Sequence, residues 1–225
     1  MDLKLKDLAD LFQVSEKTIY RWIAEKKIPA YKISHQYRFD KNEIQDWILK
    51  NKTPAAERTL SANDAHPPLS LLELLKKGGV FYRIEGGSIE EVIRNSVAVI
   101  PTPPALDKEL LIRAILERER LMSTAIGKGI AIPHSRDPLV SHPEHQSLSV
   151  CFLNHTLDYG SLDGEPVCAL FFILSANPKR HLEILYRILH LCQQPEFIAL
   201  LKQQPLRGEI LAYVEAREAE WSKIG

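Results

Sequence analysis

Two stretches of regular hydrophobic pattern are separated by a segment that has neither a helical nor a strand period. Residues 52–68 hold three prolines, mostly small or polar side chains and little to bury. That composition favours an extended connection over a packed element. Loops of such length are uncommon inside one compact domain. Residues 52–68 are therefore expected to be a linker parting a domain of residues 1–51 from one of residues 69–225. A chain of 225 residues suits two domains, at roughly 100–200 residues each. Its hydrophobic share of 45% is enough for packed cores.

Charge divides along the same line. The 29 Lys+Arg balance 29 Asp+Glu, which excludes a uniformly basic nucleic-acid coat and an acidic tail. Residues 1–52 nevertheless carry 11 basic and 8 acidic residues, a net +3, and residues 53–225 carry 18 and 21, a net −3. The front end is the one suited to an anion. Cys151, Cys168 and Cys192 are odd in number and scattered, so they form no disulfide framework or CxxC clip. The start, Met1-Asp2-Leu3-Lys4, shows no apolar leader. No apolar run reaches the ~18–20 residues that span a bilayer. These features predict a cytoplasmic protein with no membrane insertion.

In the front segment Leu5, Leu8, Ala9 and Phe12 recur at helical spacing. Ser15 stands at an N-cap position before a second helix, whose inward face is Ile19, Trp22 and Ile23. Its outward face offers Glu16, Lys17, Thr18, Tyr20 and Arg21, hydrogen-bonding side chains near a helix N-terminus, as a major-groove recognition helix requires. Residues 30–33 and 36–39 alternate as a hairpin, or wing, from which Lys32 and Arg38 would reach phosphates. Asp40, with Glu43 as a capping-box pair, opens a third helix that turns Ile44, Trp47 and Ile48 inward.

Leu8-Ala9-Asp10-Leu11, Val14 to Ile19, Arg21-Trp22, Ile28-Pro29-Ala30 and Arg38-Phe39 resemble the excisionase/MerR-type helix-turn-helix. The resemblance spans nearly all of residues 1–50 and implies a small, mostly helical winged domain that binds DNA through Lys17, Thr18, Tyr20, Arg21, Lys32 and Arg38. At the wing, Ser34-His35-Gln36 stands where the family has a glycine-containing turn. A net +3 supplies modest phosphate neutralisation for one copy. A homodimer on two half-sites would supply more. The bland alternative is a helical adaptor that binds protein.

From Leu69 strand and helix patterns alternate. Residues 80–84, 129–134, 148–153 and 167–174 read as strands; helices are expected over 88–98, 107–121, 178–192, 195–203 and 207–221. The expected class is an α/β (α+β) sandwich, a mixed sheet flanked by helices.

Three residues stand out by position. Arg118 falls among Leu111, Ile115 and Met122 on the buried side of its helix, so it needs a ligand or an ion partner such as Glu119. His181 shares a stripe with Leu185, Ile188 and Cys192, in the first turn after Asn177-Pro178, while Glu183, Arg187 and His190 face outward. A helix N-terminus attracts anions, yet a hydrogen-bonded core histidine fits His181 as well. His134 follows Pro133 at a strand end, beside the loop of residues 123–129, whose hydroxyls, amides and glycines suit an oxyanion. A neutral imidazole there is a nucleophile near neutral pH. His142 and His145 are spaced like metal ligands but lack a third donor nearby, and no metal site is expected.

The run from Arg118 to His134 resembles the signature of the fructose/mannitol/nitrogen-type enzyme IIA of the bacterial phosphotransferase system. Asp163-Gly164-Glu165-Pro166-Val167 and His181 to Leu185 extend the likeness, which covers about residues 69–220. Ala125 stands for a usual glycine and Lys128 for a usual small polar residue. The resemblance implies the type 2 enzyme IIA fold and a phosphohistidine at His134, charged by a phospho-HPr or nitrogen-type HPr donor. It makes His181 the second active-site histidine and Arg118 the phosphate-facing arginine, with Ser123 and Thr124 in the phosphate loop. Phosphoryl transfer of this kind asks the protein for position and positive potential, with no cofactor. With a helix-turn-helix attached, the expected role is a regulatory phosphocarrier of the nitrogen type, acting on a regulatory protein target or on transcription. The alternatives are a sugar-specific enzyme IIA passing phosphate to an enzyme IIB cysteine, and a transcription regulator with a sensory enzyme IIA domain.

Overall fold

The computed structural model describes residues 3–12, 14–33, 36–51 and 69–224. The expected linker, residues 52–68, lies outside the described residues, as do Ser34, His35 and His66. The described residues form two compact units, one within Ser70–Glu215 and the other made of those before it and those from Ala216 on.

The first unit follows the order β1 (Leu3–Lys4), α1 (Leu5–Phe12), α2 (Glu16–Ala24), β2 (Tyr31–Ile33), β3 (Gln36–Phe39) and α3 (Lys41–Asn51). Ser15 caps α2, its Oγ accepting the Thr18 N–H at 3.2 Å, a contact worth about 1 kcal/mol. Leu8, Ile19, Phe39 and Ile44 are fully buried. Around them the rings of Phe12, Trp22 and Trp47 meet edge-on or tilted. The hairpin gains an unforeseen third strand, β1, which pairs antiparallel with β3; two residues are too few to show a period. Asp40 caps α3 as expected, accepting the N–H groups of Asn42 and Glu43. Glu43, expected to complete a capping box, instead accepts the Tyr31 hydroxyl and fastens β2 to α3.

The second unit's elements are α4 (Leu71–Gly78), β4 (Val80–Ile84), α5 (Ile89–Val99), α6 (Lys108–Leu121), β5 (Ala125–Gly127), β6 (Ile130–Ala131), β7 (Ser147–Leu157), β8 (Val167–Leu174), α7 (Pro178–Gln193), α8 (Pro195–Lys202) and, as far as Glu215, α9 (Arg207–Ile224). The sheet runs β4-β7-β8-β6-β5. β4 is parallel to β7 and β6 to β8, while β7–β8 and β5–β6 are antiparallel. It is a mixed sheet with helices on both faces. Along β8, Leu170, Phe172 and Leu174 join Val92, Ile93 and Val97 of α5 and Leu111 and Ile115 of α6. Phe171, on the other face, meets Phe197 of α8. A strand buried on both faces reads as one apolar run rather than an alternation, which is what residues 167–174 show.

Two expectations need correction. The glycine-containing loop of residues 123–129 is largely a hairpin. β5 and β6 are joined by Lys128 and Gly129, with φ of 58° and 79°, positive at both positions as a two-residue I′ turn demands. Asp163 secures this turn by accepting the Lys128 N–H at 2.7 Å. Arg187, expected on the outer face of α7, is buried and contacts Glu183, as Arg180 does. α7 is buried around more of its circumference than one amphipathic stripe implies: Leu182, Ile184, Leu185, Ile188, Leu189 and Leu191 are all inside. Among the described residues no helix is long and apolar enough to cross a membrane.

Candidate active site

β6 delivers His134 to the site. The chain leaves the strand at Ala131, and Pro133 lies between Ile132 and the histidine. His134 is fully buried, and its Nδ1 lies 2.6 Å from the Ile132 carbonyl oxygen. A carbonyl only accepts, so Nδ1 carries the proton and Nε2 the lone pair. A backbone group thus fixes the tautomer.

α7 delivers His181. Asn177 caps this helix, accepting the Arg180 N–H at 2.9 Å, with Pro178 in its first turn. The His181 ring is centred 5.0 Å from that of His134. Its Nδ1 sits 3.0 Å from Ser175 Oγ, just past the end of β8. Arg118, in the last turn of α6, is 2% exposed and donates to the Met122 carbonyl at 2.8 Å. A buried guanidinium at a helix C-terminus has its charge supported by the macrodipole.

Burial holds the His134 pKa well below its ordinary value. The charges of His181 and then Arg118 push it further down, against the Ile132 hydrogen bond. Both groups therefore act on the same imidazole. The unfolded chain takes up this proton near pH 6.5, whereas the folded chain does so only at much lower pH. Below about pH 6.5 the unfolded state binds more protons, so this group costs stability as pH falls and costs nothing above it. Ring ¹⁵N shifts are expected to keep His134 neutral and Nδ1-protonated through pH 6. In urea, the loss of stability between pH 7.5 and 5.5 should be smaller in His134→Gln than in wild type. A ring titrating near 6.5 would contradict both.

Ser123 and Thr124 lie at the same end of the β5–β6 hairpin, where the Thr124 carbonyl accepts the Ile132 N–H. Their hydroxyls and the Thr124 N–H are engaged with protein groups. Ser123 Oγ donates to the Tyr159 carbonyl at 2.6 Å. Thr124 gives both its N–H and its hydroxyl to the two oxygens of Glu119. Burial raises the Glu119 carboxyl, against these bonds and the Arg118 charge. Lys128 lies at the hairpin's other end, its Nζ on the Cys192 carbonyl at the far end of α7 from His181. The turn glycines and Lys128 therefore serve the hairpin and do not face His134. Sequence reading missed Ser175, which lies six positions before His181, and the bond of Glu119 to Thr124. A polar residue closing an apolar strand was the available signal for Ser175.

Cys151 and Cys192 are buried, and burial pushes both thiols up to about 12, so neither is a thiolate nucleophile at neutral pH. His142 and His145 are exposed, their rings edge-on. His155 is exposed on β7. Among the described residues no group of three His, Cys, Asp or Glu is placed to hold a metal ion.

In the first unit, Lys17, Tyr20 and Arg21 are exposed on α2. Thr18 is half-buried, with its hydroxyl 3.1 Å from that of Ser15. The hairpin splits the two expected phosphate contacts. Lys32 pairs with Tyr37 and Tyr31 with Arg38, so Lys32 and Arg38 point to opposite faces. Tyr37 meets Tyr20 of α2, which puts Lys32 on the face turned toward the exposed side of α2. Arg38 is bound to Gln36 and to the Tyr37 carbonyl.

Residues 73–217 match the family model for the phosphoenolpyruvate-dependent sugar phosphotransferase system, EIIA 2, and residues 3–52 match that for a helix-turn-helix domain. The nitrogen regulatory protein of Pseudomonas aeruginosa is 30% identical over 140 residues, 61% of this chain and 89% of that protein. The fructose-specific EIIABC component of Bacillus subtilis is 34% identical over 144 residues, 63% of this chain but only 22% of that longer protein. In fold, the chain resembles the nitrogen regulatory protein IIA-Ntr of Neisseria meningitidis. The TM-score is 0.55 at 23% identity, over 64% of this chain and 97% of that one. This chain belongs to the EIIA 2 family of the phosphoenolpyruvate-dependent sugar phosphotransferase system and carries a helix-turn-helix domain ahead of it.

Proposed function

We propose that the chain is a regulatory phosphocarrier of the nitrogen type, which accepts a phosphoryl group on His134 Nε2 from a phospho-HPr-like donor and couples its state to DNA binding. One observation carries the acceptor: a neutral, buried imidazole whose Nδ1 proton is held by the Ile132 carbonyl. In the transfer the His134 Nε2 lone pair attacks phosphorus in line. The N–P bond of the donor phosphohistidine breaks, and the donor imidazole leaves with the electron pair. The proton stays on Nδ1, hydrogen-bonded to the Ile132 carbonyl, so no proton moves at the acceptor. Arg118, His181 and the N-terminus of α7 answer the arriving negative charge.

The regulatory reading rests on the helix-turn-helix domain, for which a sugar carrier has no evident use. The 34% identity to a segment of a fructose component supports a second reading, a sugar-specific carrier that passes phosphate to an enzyme IIB cysteine. Incubating the full chain with phosphoenolpyruvate, enzyme I and an HPr-type protein, with and without fructose- or mannitol-type enzyme IIB, tests both. Labelling that persists when IIB is added is expected of the nitrogen type. Rapid loss of label to IIB would favour the sugar carrier. No label at all would refute the phosphocarrier.

DNA reading is assigned to Lys17, Thr18, Tyr20 and Arg21, with Lys32 on a phosphate. A selection for bound sequences, using full chain with and without phosphate, should enrich a site. Arg21→Ala should cost about 1–3 kcal/mol and relax one base position. Lys32→Ala should lower the salt slope by about one, and Arg38→Ala should lower it less. The absence of any enriched sequence would leave this unit as a protein-binding adaptor.

A further inference from the structure

Ser175 has no role in the chemistry derived above, yet it is buried against the ring beside the acceptor. It is 4% exposed, it follows the last residue of β8, and its Oγ lies 3.0 Å from His181 Nδ1. His181 Nε2, the other ring nitrogen, is itself buried, in a ring centred 5.0 Å from His134. Building on His134 as the acceptor, we propose that Ser175 is a positioning residue that lets His181 carry a proton on Nε2 in both the neutral and the charged form of that ring.

A phosphoryl group on His134 presents only acceptor oxygens, so a neighbouring imidazole helps it through an N–H. A neutral imidazole has a single N–H, on one nitrogen or the other. To carry it on Nε2, His181 must leave a lone pair on Nδ1, which in a buried setting needs a donor. A cationic His181 has N–H on both nitrogens, and Nδ1 then needs an acceptor. A serine hydroxyl rotates to serve either need. A carbonyl such as that of Ile132 only accepts, and it would pin the proton on Nδ1 in a neutral ring, as it does in His134. The two histidines are thereby set in complementary states: His134 with a lone pair on Nε2 for phosphorus, His181 with a proton on Nε2 for the phosphoryl oxygens.

The test is ring ¹⁵N NMR on the full chain, with phosphate uptake measured alongside. Wild-type His181 should show a protonated Nε2. Ser175→Ala should shift the proton toward Nδ1 and slow labelling up to about tenfold, the worth of one hydrogen bond. Ser175→Thr, which keeps the hydroxyl, should restore both, and matched melting curves guard against a folding defect. Unchanged His181 ring shifts in Ser175→Ala would overturn the proposal, and so would a changed tautomer with unchanged labelling. A wild-type chain that takes up no phosphate would instead strike the acceptor reading of His134, while the ring shifts would still decide what Ser175 does.

Discussion

His134→Ala is expected to take up no acid-labile phosphate under conditions in which the wild-type chain is labelled to about one group per chain. The loss should be complete because no neighbour can replace the nucleophile. His181 is the nearest imidazole, but Ser175 engages its Nδ1, and its place in the first turn of α7 suits a donor to anions. The buried thiols of Cys151 and Cys192 are held protonated. The hydroxyls of Ser123 and Thr124 donate to Tyr159 and Glu119. His134→Gln keeps a polar group near the Ile132 carbonyl and should be equally dead while folding more nearly as wild type. Labelling of either variant at the wild-type level would move the acceptor elsewhere. Residual label that disappears only in His134→Ala/His181→Ala would show that His181 can serve as a substitute acceptor.

Much of this site was legible in the sequence because it rests on periodicity. The α6 wheel puts Arg118 with Leu111 and Ile115, and all three are buried. The α7 stripe puts His181 with Leu185 and Ile188, and Ser15 caps α2 as its side chain and spacing predict. What the pattern could not carry were contacts decided by backbone direction or by distant chain. The partner of His134 Nδ1 is a carbonyl two residues back, set by the course of the backbone after β6 rather than by any side chain. The sequence shows a loop where the structure has the β5–β6 hairpin, because the turn places Lys128, a residue with a Cβ, at positive φ. That conformation costs about 1–2 kcal/mol for such a residue, and here the Asp163 carboxylate 35 residues on holds it. Glu119 leans inward on α6 beside Arg118, whose charge acts on its carboxyl. Its carboxylate also receives Thr124, across the bend that leads from α6 into β5, a contact that no spacing shows.

That rearrangement sharpens what Arg118 should do. Its guanidinium braces the α6 C-terminus through the Met122 carbonyl, and its charge reaches His134. Arg118→Ala removes both, so two effects should separate. Leaving the Met122 carbonyl without this donor should destabilise the fold by about 1–3 kcal/mol, read as a lowered melting temperature. Removing a fixed charge from the developing phosphoryl should slow uptake by about 10²–10³-fold, the usual cost of losing one such donor in a water-poor site. The kinetic loss should fall on the maximal rate more than on the half-saturating donor concentration, because the charge is needed most when the phosphoryl is in flight. Arg118→Lys tells the two roles apart. It keeps a positive charge but not the planar fork that can hold a carbonyl and face an anion together. It should recover part of the rate, with stability restored less. Arg118→Ala labelling at the wild-type rate, with only its melting temperature lowered, would reduce the residue to a structural brace.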